Sequence, residues 1–279
     1  MSFLQKLASA ISDNQSCLCV GLDPNLDLLP TDVQELDKSD VQKVERFLKT
    51  VIEVTQDHCA AYKPNLGFFE ALGSQGWELF FRILDEIPSD KIIIADAKRG
   101  DISSTAEHYS KAFFEQTEVD AITLNPLMGF ETLEPFLADK DKGIYTLALT
   151  SNPGAADLLL QKLSSGQTIS SYIAQQLSYK QENSEGAIGM VVGATQAEDL
   201  RPVITEFSEA PLLIPGVGKQ GGSITALADA LDDHLGLPLI NSSRSIIYAG
   251  NDTSHWEQAV SESAEQLTHQ LRPITKKYV

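Results

Sequence analysis

The chain has 279 residues, 42% of them hydrophobic and 22% charged, enough to bury one large core and ordinary for a globular protein. Its formal net charge of −18 repels polyanions and argues against nucleic acid or an anionic membrane surface as a partner. A small phosphorylated ligand, held by a local cluster of donors, is not excluded.

In chain order, short apolar runs alternate with longer amphipathic stretches. Residues 2–12 predict a leading helix that caps the bottom of the core, and they lack the continuous apolar centre of a signal peptide. "CLCVGLD" (17–23) reads as the first strand, with Cys17, Cys19, Gly21 and Asp23 sharing a face by the period of two. A long connection, 24–40, leads to a helix over 40–57. It opens on an Asp40 cap and gathers Val44, Phe47, Leu48, Val51 and Val54 on one side. "CAAYKPN" (59–65) is the second strand, and 75–87 a helix. "KIIIADAK" (91–98) is the third strand, followed by a helix over 103–116. "DAITLNP" (120–126) and "GIYTLALTS" (143–151) are the fourth and fifth. A second long connection, 152–167, precedes a helix over 168–181. "AIGMVVGAT" (187–195), a helix over 196–207, "PLLIPGVG" (211–218), "PLINSSR" (238–244) and a closing helix over 255–274 complete the pattern.

The runs are rich in β-branched and small residues, as buried parallel strands are. Eight of them alternating with helices predict an α/β fold, a (β/α)8 TIM barrel forming a single domain over 1–279. A doubly wound open sheet is the alternative. Polar residues favour the barrel, because they fall at the C-terminal ends of most runs: Asp23, Lys63, Asp96 with Lys98, Asn125, Ser151, Thr195 and Arg244. In a barrel those ends converge on one mouth. The connections near 24–40 and 152–167 are then candidate lids, with plain insertion the competing reading for the first.

The third strand carries the densest charge. Alternation puts Ile92, Ile94, Asp96 and Lys98 on one face and Ile93, Ala95 and Ala97 on the other, so acid and base project together into the mouth. Gly100 lets the chain turn, and Asp101 starts the next helix. A structural ion pair at the rim, an Asp101 helix cap and a capping box in "STAE" (104–107) are the bland readings. Lys63, at the end of the second strand, weighs against them, because a buried ammonium costs several kcal/mol unless it is paired. On the opposite side, "LLIPGVGKQGGS" (212–223) runs from strand through a glycine-rich turn to a helix start, whose backbone N–H groups can cradle an anion. Arg244 ends the eighth strand. The loops after strands seven and eight are the usual phosphate site of such barrels, and Gln220 is favoured over Lys219 as a donor there.

"DAKRGDI" (96–102), "GLDP" (21–24), "YKPN" (62–65), "LTSNPGA" (149–155), "PGVGKQGG" (215–222) and "SRSIIYAG" (243–250) together resemble orotidine 5'-phosphate decarboxylase in its longer bacterial form. The resemblance runs from about residue 16 to 250. It implies conversion of orotidine 5'-monophosphate to UMP and carbon dioxide in pyrimidine biosynthesis, with no metal and no organic cofactor. Lys98 would donate the proton to C6 of the pyrimidine, and Asp96 would face the departing carboxylate. Lys63 would bridge the acids and the ribose, and Asp23 would also hold the ribose. Ser151 would contact the pyrimidine, and Gln220 and Arg244 the phosphate. Asp101 and Thr105 would reach into the neighbouring subunit's site, making the enzyme a homodimer.

The chemistry suits those residues. Loss of carbon dioxide leaves a C6 carbanion that the ring cannot delocalise well, so preorganised charge must stabilise it. One charge pair about 4 Å apart at an effective dielectric near 20 is worth roughly 4 kcal/mol. Two lysines alternating with two aspartates sum to zero, and the acids keep the lysines protonated.

Two rivals remain. A Mg2+-dependent sugar-phosphate lyase of the same barrel group would want an acid near the end of the second strand, where Lys63 would repel the ion. A non-catalytic phosphate-binding barrel would have no need of the full charged set. The three cysteines form no zinc pattern and suit a reducing cytoplasm, and no run reaches membrane-spanning length, so a cytoplasmic protein is expected. The five histidines make no metal spacing, and Trp77 and Trp256 read as packing.

Overall fold

A computed structural model of the chain describes residues 1–194, 197–217 and 223–279. Thr195, Lys219 and Gln220 lie outside the described residues, and with them most of the glycine-rich turn. The strands are β1 (Leu18–Leu22), β2 (Ala61–Pro64), β3 (Ile92–Arg99), β4 (Ala121–Leu124), β5 (Gly143–Leu149), β6 (Ala187–Val192), β7 (Leu212–Pro215) and β8 (Pro238–Ser242). Each pairs in parallel with the next, and β8 pairs with β1, so the sheet closes into a barrel.

Helix α1 (Phe3–Asn14) precedes the barrel; α2 (Thr31–Gln34) and α3 (Asp40–Thr55) follow β1, and α4 (Leu66–Glu70) and α5 (Ser74–Asp85) follow β2. After β3 comes α6 (Ser103–Phe114), after β5 α7 (Ile169–Gln181), after β6 α8 (Ala197–Glu206) and after β7 α9 (Ile224–Ala230). Two helices, α10 (Arg244–Ile247) and α11 (Trp256–Thr275), follow β8. Only 3-10 turns, Pro126–Met128 and Phe130–Phe136, join β4 to β5. Pro135 inside the second has no N–H to give an α-helix.

The alternation expected of the third run holds. Ile92 and Ile94 point into the barrel with Cys19, Ala61, Ala121, Tyr145 and Leu239, while Ile93 and Ala95 pack outward under the helices. The expected position of Cys17 does not hold. It lies one residue ahead of β1, in the outer layer, where Thr275 of α11 donates to its sulfur.

The leading helix plugs the N-terminal end of the barrel. Its buried residues Phe3, Leu7, Ala10 and Ile11 join the interior cluster. Gly143 at the start of β5 makes room, since a Cβ there would come within 2.7 Å of the Phe3 ring. Lys6 then reaches Asp120 at 2.7 Å, and the other oxygen of Asp120 accepts from the backbone of Ile93 at 2.9 Å. The helix over 40–57 is present, but its cap is Ser39, in a capping box with Gln42, rather than Asp40. A hydroxyl one residue earlier reaches the free N–H groups of the first turn, which leaves Asp40 as first-turn acid.

Candidate active site

Strand β3 overshoots its neighbour. Ala95 pairs with Ile122 and Arg99 with Leu124, so Asp96, Ala97 and Lys98 all stand opposite Thr123 alone. This bulge kinks the strand at Lys98, whose φ is +47°, a left-handed backbone that costs a non-glycine residue about 1–3 kcal/mol. Three bonds hold it. Thr123 Oγ1 accepts from the Lys98 backbone N–H at 2.9 Å and donates to Asp96 Oδ1 at 3.0 Å. The backbone N–H of Asn125 donates to the Arg99 carbonyl at 2.8 Å. Gly100 owes its place to this contact more than to a turn, because a Cβ there would meet the Asn125 carbonyl at 2.7 Å.

Asp96 is the centre of the cluster, 8% exposed and gripped from two sides. Lys63 Nζ lies 2.5 Å from Oδ2, and Lys98 Nζ 2.5 Å from Oδ1. Burial opposes the charge on Asp96, but the two ammonium groups outweigh it and hold the carboxyl well below the usual carboxylate range. Burial likewise opposes the charge on Lys63, and Asp96 and Asp23 reverse the effect, raising its pKa. Both groups therefore stay ionised in the closed interior. The side chain of Lys63 is 6% exposed and that of Lys98 51%, so one lysine is sealed into the floor of the mouth and the other stands open to an incoming molecule. Beneath them Cys19 is kept a thiol by burial, although Lys63 pulls the other way.

Across the mouth, Asp23, Ser151, Pro215, Asn241 and Arg244 line a cleft of about 900 Å³ that runs outward onto α11. The charged cluster is not part of that lining; it borders the mouth on the β2–β3 side. Asp23 Oδ1 and Asn241 Oδ1 are buried and have no hydrogen-bond partner among the described residues. An unsatisfied buried acceptor costs about 1–3 kcal/mol, and a ligand hydroxyl would relieve both. Tyr248 fixes this wall, donating to the Asp23 carbonyl at 2.7 Å and accepting from the Asn25 N–H at 2.5 Å. The first long connection is packed down in the same way. Leu29 and Val33 are buried, and Trp256 Nε1 donates to Asp32 at 3.2 Å. The connection over 152–167 is mostly exposed, Leu158 and Leu163 included.

Asp23, Lys63, Asp96, Lys98, Ser151 and Arg244 thus come to one mouth. Asp101 and Thr105 do not join the cluster within the chain. Among the described residues the Asp101 carboxylate accepts only from the next backbone N–H, at Ile102, and Thr105 sits exposed on the first turn of α6. Neither helix-cap reading of this stretch holds: the residue before α6 is Ile102, no side chain caps it, and "STAE" makes no capping box. Ser103, with φ +47°, turns the chain into the helix instead. Asn125, expected at the mouth, accepts from Leu127 N–H and caps the following 3-10 turn. Sequence reasoning passed over Thr123, Asn241 and Tyr248. For the first two the signal was present, since Thr123 follows inward-facing Ala121 by two residues and Asn241 follows inward-facing Leu239 by two. Among the described residues no group of three or more His, Cys, Asp or Glu side chains is placed to hold a metal ion.

Comparison with known proteins gives consistent matches. The model of the orotidine 5'-phosphate decarboxylase / HUMPS family matches residues 16–259. The orotidine 5'-phosphate decarboxylase of Herpetosiphon aurantiacus is 42% identical over 257 residues, covering 92% of this chain and 93% of that protein. That of Dehalococcoides mccartyi strain CBDB1 is 38% identical over the full length of both. Among solved structures, the OMP decarboxylase of Leishmania donovani superposes with a TM-score of 0.82 at 30% identity, covering 99% of each chain.

Proposed function

The chain belongs to the orotidine 5'-phosphate decarboxylase / HUMPS family, and from that premise we infer how its own residues carry the reaction. It is a carboxy-lyase that converts orotidine 5'-monophosphate to UMP and carbon dioxide, within pyrimidine biosynthesis. The observation that carries the residue assignment is one buried carboxylate held between two ammonium groups at the mouth of the barrel.

In this reading the substrate's phosphate lies toward Arg244, with Gln220 as a second donor, its ribose toward Asp23 and Lys63, and its pyrimidine toward Ser151 and Lys98. The C6–carboxylate bond breaks, carbon dioxide leaves, and the electron pair stays on C6. The Lys98 ammonium, already in place, stabilises that pair and then transfers a proton to C6, and the neutral amine regains a proton from water. Asp96 faces the departing carboxylate and aims the Lys98 side chain. Burial of Asp96 and Lys63 supports this, because charges fixed in advance need no rearrangement as the carbanion forms. An ammonium at Lys63 also repels a divalent cation, which favours cofactor-free chemistry over the Mg2+-dependent alternative. The exposed connection over 152–167 is the segment suited to close over bound substrate.

Asp101 and Thr105 complete the site of a second subunit in a homodimer. Among the described residues neither makes a hydrogen bond or ion pair with Asp96, Lys98 or Lys63, which supports this, as does the exposed Ile102 between them in the chain.

Loss of orotate absorbance on adding orotidine 5'-monophosphate, with a chelator present, tests the reaction. Turnover is expected, and a folded protein that leaves the substrate unchanged would sink the assignment. Mixing inactive Lys98→Ala with inactive Asp101→Asn tests the dimer. Activity should reappear, because a mixed dimer contains one site with both residues intact. No recovery would put Asp101 in its own chain's site.

A further inference from the structure

We propose that Thr123 is a positioning residue for the decarboxylation, its hydroxyl standing in for the backbone bond that the β3 bulge removes and thereby aiming both Asp96 and Lys98. The inference rests on the decarboxylase reading and extends it to a residue outside the charged set.

The geometry is specific. Between the Ala95–Ile122 and Arg99–Leu124 pairs, β4 offers one residue against three, so the regular ladder cannot satisfy the Lys98 N–H. A side chain does so instead. Thr123 is 1% exposed, and its Oγ1 accepts from Lys98 N–H at 2.9 Å. The same oxygen donates its only hydrogen to Asp96 Oδ1 at 3.0 Å, the oxygen that also receives Lys98 Nζ at 2.5 Å. Lys98 is thus tied at both ends. Its backbone is pinned by Thr123, and its ammonium by a carboxylate that Thr123 orients.

The hydroxyl also enforces direction. Because Oγ1 accepts from the Lys98 amide, its single hydrogen is left for Asp96. A valine would fill the same space and supply neither bond. The kink at Lys98 would then lose two of the three bonds that hold it against its own strain. The effect belongs to the reacting end of the site, since Arg244 and the unsatisfied acceptors of Asp23 and Asn241 lie across the mouth.

Three variants and two readouts test this. Thr123→Val and Thr123→Ala remove the hydroxyl, the alanine guarding against a misfit of valine's second methyl, and Thr123→Ser keeps it. The hydroxyl-free variants should lower kcat about 10- to 100-fold with KM within about twofold, while serine stays within about threefold of the parent. Hydrogen exchange across residues 96–100 should speed up in the hydroxyl-free variants and remain slow with serine. This second readout does not depend on the reaction. If the parent protein fails to decarboxylate the substrate, the functional reading falls, and exchange alone decides whether Thr123 pins the kink. Unchanged exchange, unchanged kcat with only a lower melting temperature, or a serine variant as impaired as valine would each overturn the proposal.

Discussion

Two buried aspartates at opposite ends of the barrel have opposite surroundings. Asp120, just ahead of β4, is 6% exposed and shared between one lysine of α1 and the backbone N–H of Ile93. Asp96, at the far end of β3, is 8% exposed and meets two ammonium groups and a hydroxyl, all from side chains. Around Asp120 the floor is apolar, regular and plugged by a helix. Around Asp96 lie a bulge, a lysine with positive φ and, across the mouth, two acceptors with nothing to accept from among the described residues. One carboxylate locks the fold and the other is held ready for a ligand. This matches the general division in such barrels, where the N-terminal face carries stability and the C-terminal face chemistry.

That division can be broken experimentally. The largest effect should come at the mouth. Lys98→Ala is expected to lower kcat about a thousandfold or more, since it removes both the proton and the charge at C6. Its half-exposed side chain adds little to stability, so denaturant unfolding should shift by under about 1 kcal/mol. Asp120→Asn should do the reverse, losing about 1–3 kcal/mol by denaturant unfolding with kcat kept, because the bonds to Lys6 and Ile93 are weakened far from the site. Gly143→Ala should cost about 1–3 kcal/mol through the clash with Phe3, again with kcat kept. A floor variant that lost activity in the folded state would break the division.

The smallest effect is a flat region in pH. Asp96 has its pKa lowered by folding, so its contribution to stability is fully present above the ordinary value of about 3.9 and is lost as pH falls through its lower folded value. Lys63 has its pKa raised, so its contribution is fully present below about 10.4 and is lost as pH rises through its higher folded value. The stability difference between the parent and Asp96→Asn should therefore stay level from about pH 5 to 9 and shrink toward acid. A slope inside that range would mean the pair is not held charged.

Much of this was legible in the chain. Alternation in "KIIIADAK" fixes which residues face inward, and polar residues at run ends place Lys63, Asp96 and Lys98 at one mouth. What escaped depends on how one strand meets another. Thr123 reads as an ordinary β-branched strand residue, and only the slipped register between β3 and β4 turns its hydroxyl toward Lys98. Cap errors have a local cause: Ser39 and Asp40 are both good caps, as Asp101 and the serines after it are, and the sequence does not say which backbone turn will be used. Cys17 lies one residue before the ladder begins, where the alternation of the strand no longer applies.

The helical plug also sets an order of events during synthesis. Helix α1 leaves the ribosome well before its seat, because its docking surface includes Asp120, Lys140 and Tyr145, and β1 waits for β8, with Leu18 paired to Ile240. At about 5–20 residues per second, Phe3, Leu7 and Ile11 are without their seat for on the order of ten seconds on every nascent chain. The apolar stripe that closes the finished barrel is therefore, during that interval, an exposed surface open to shielding by a chaperone.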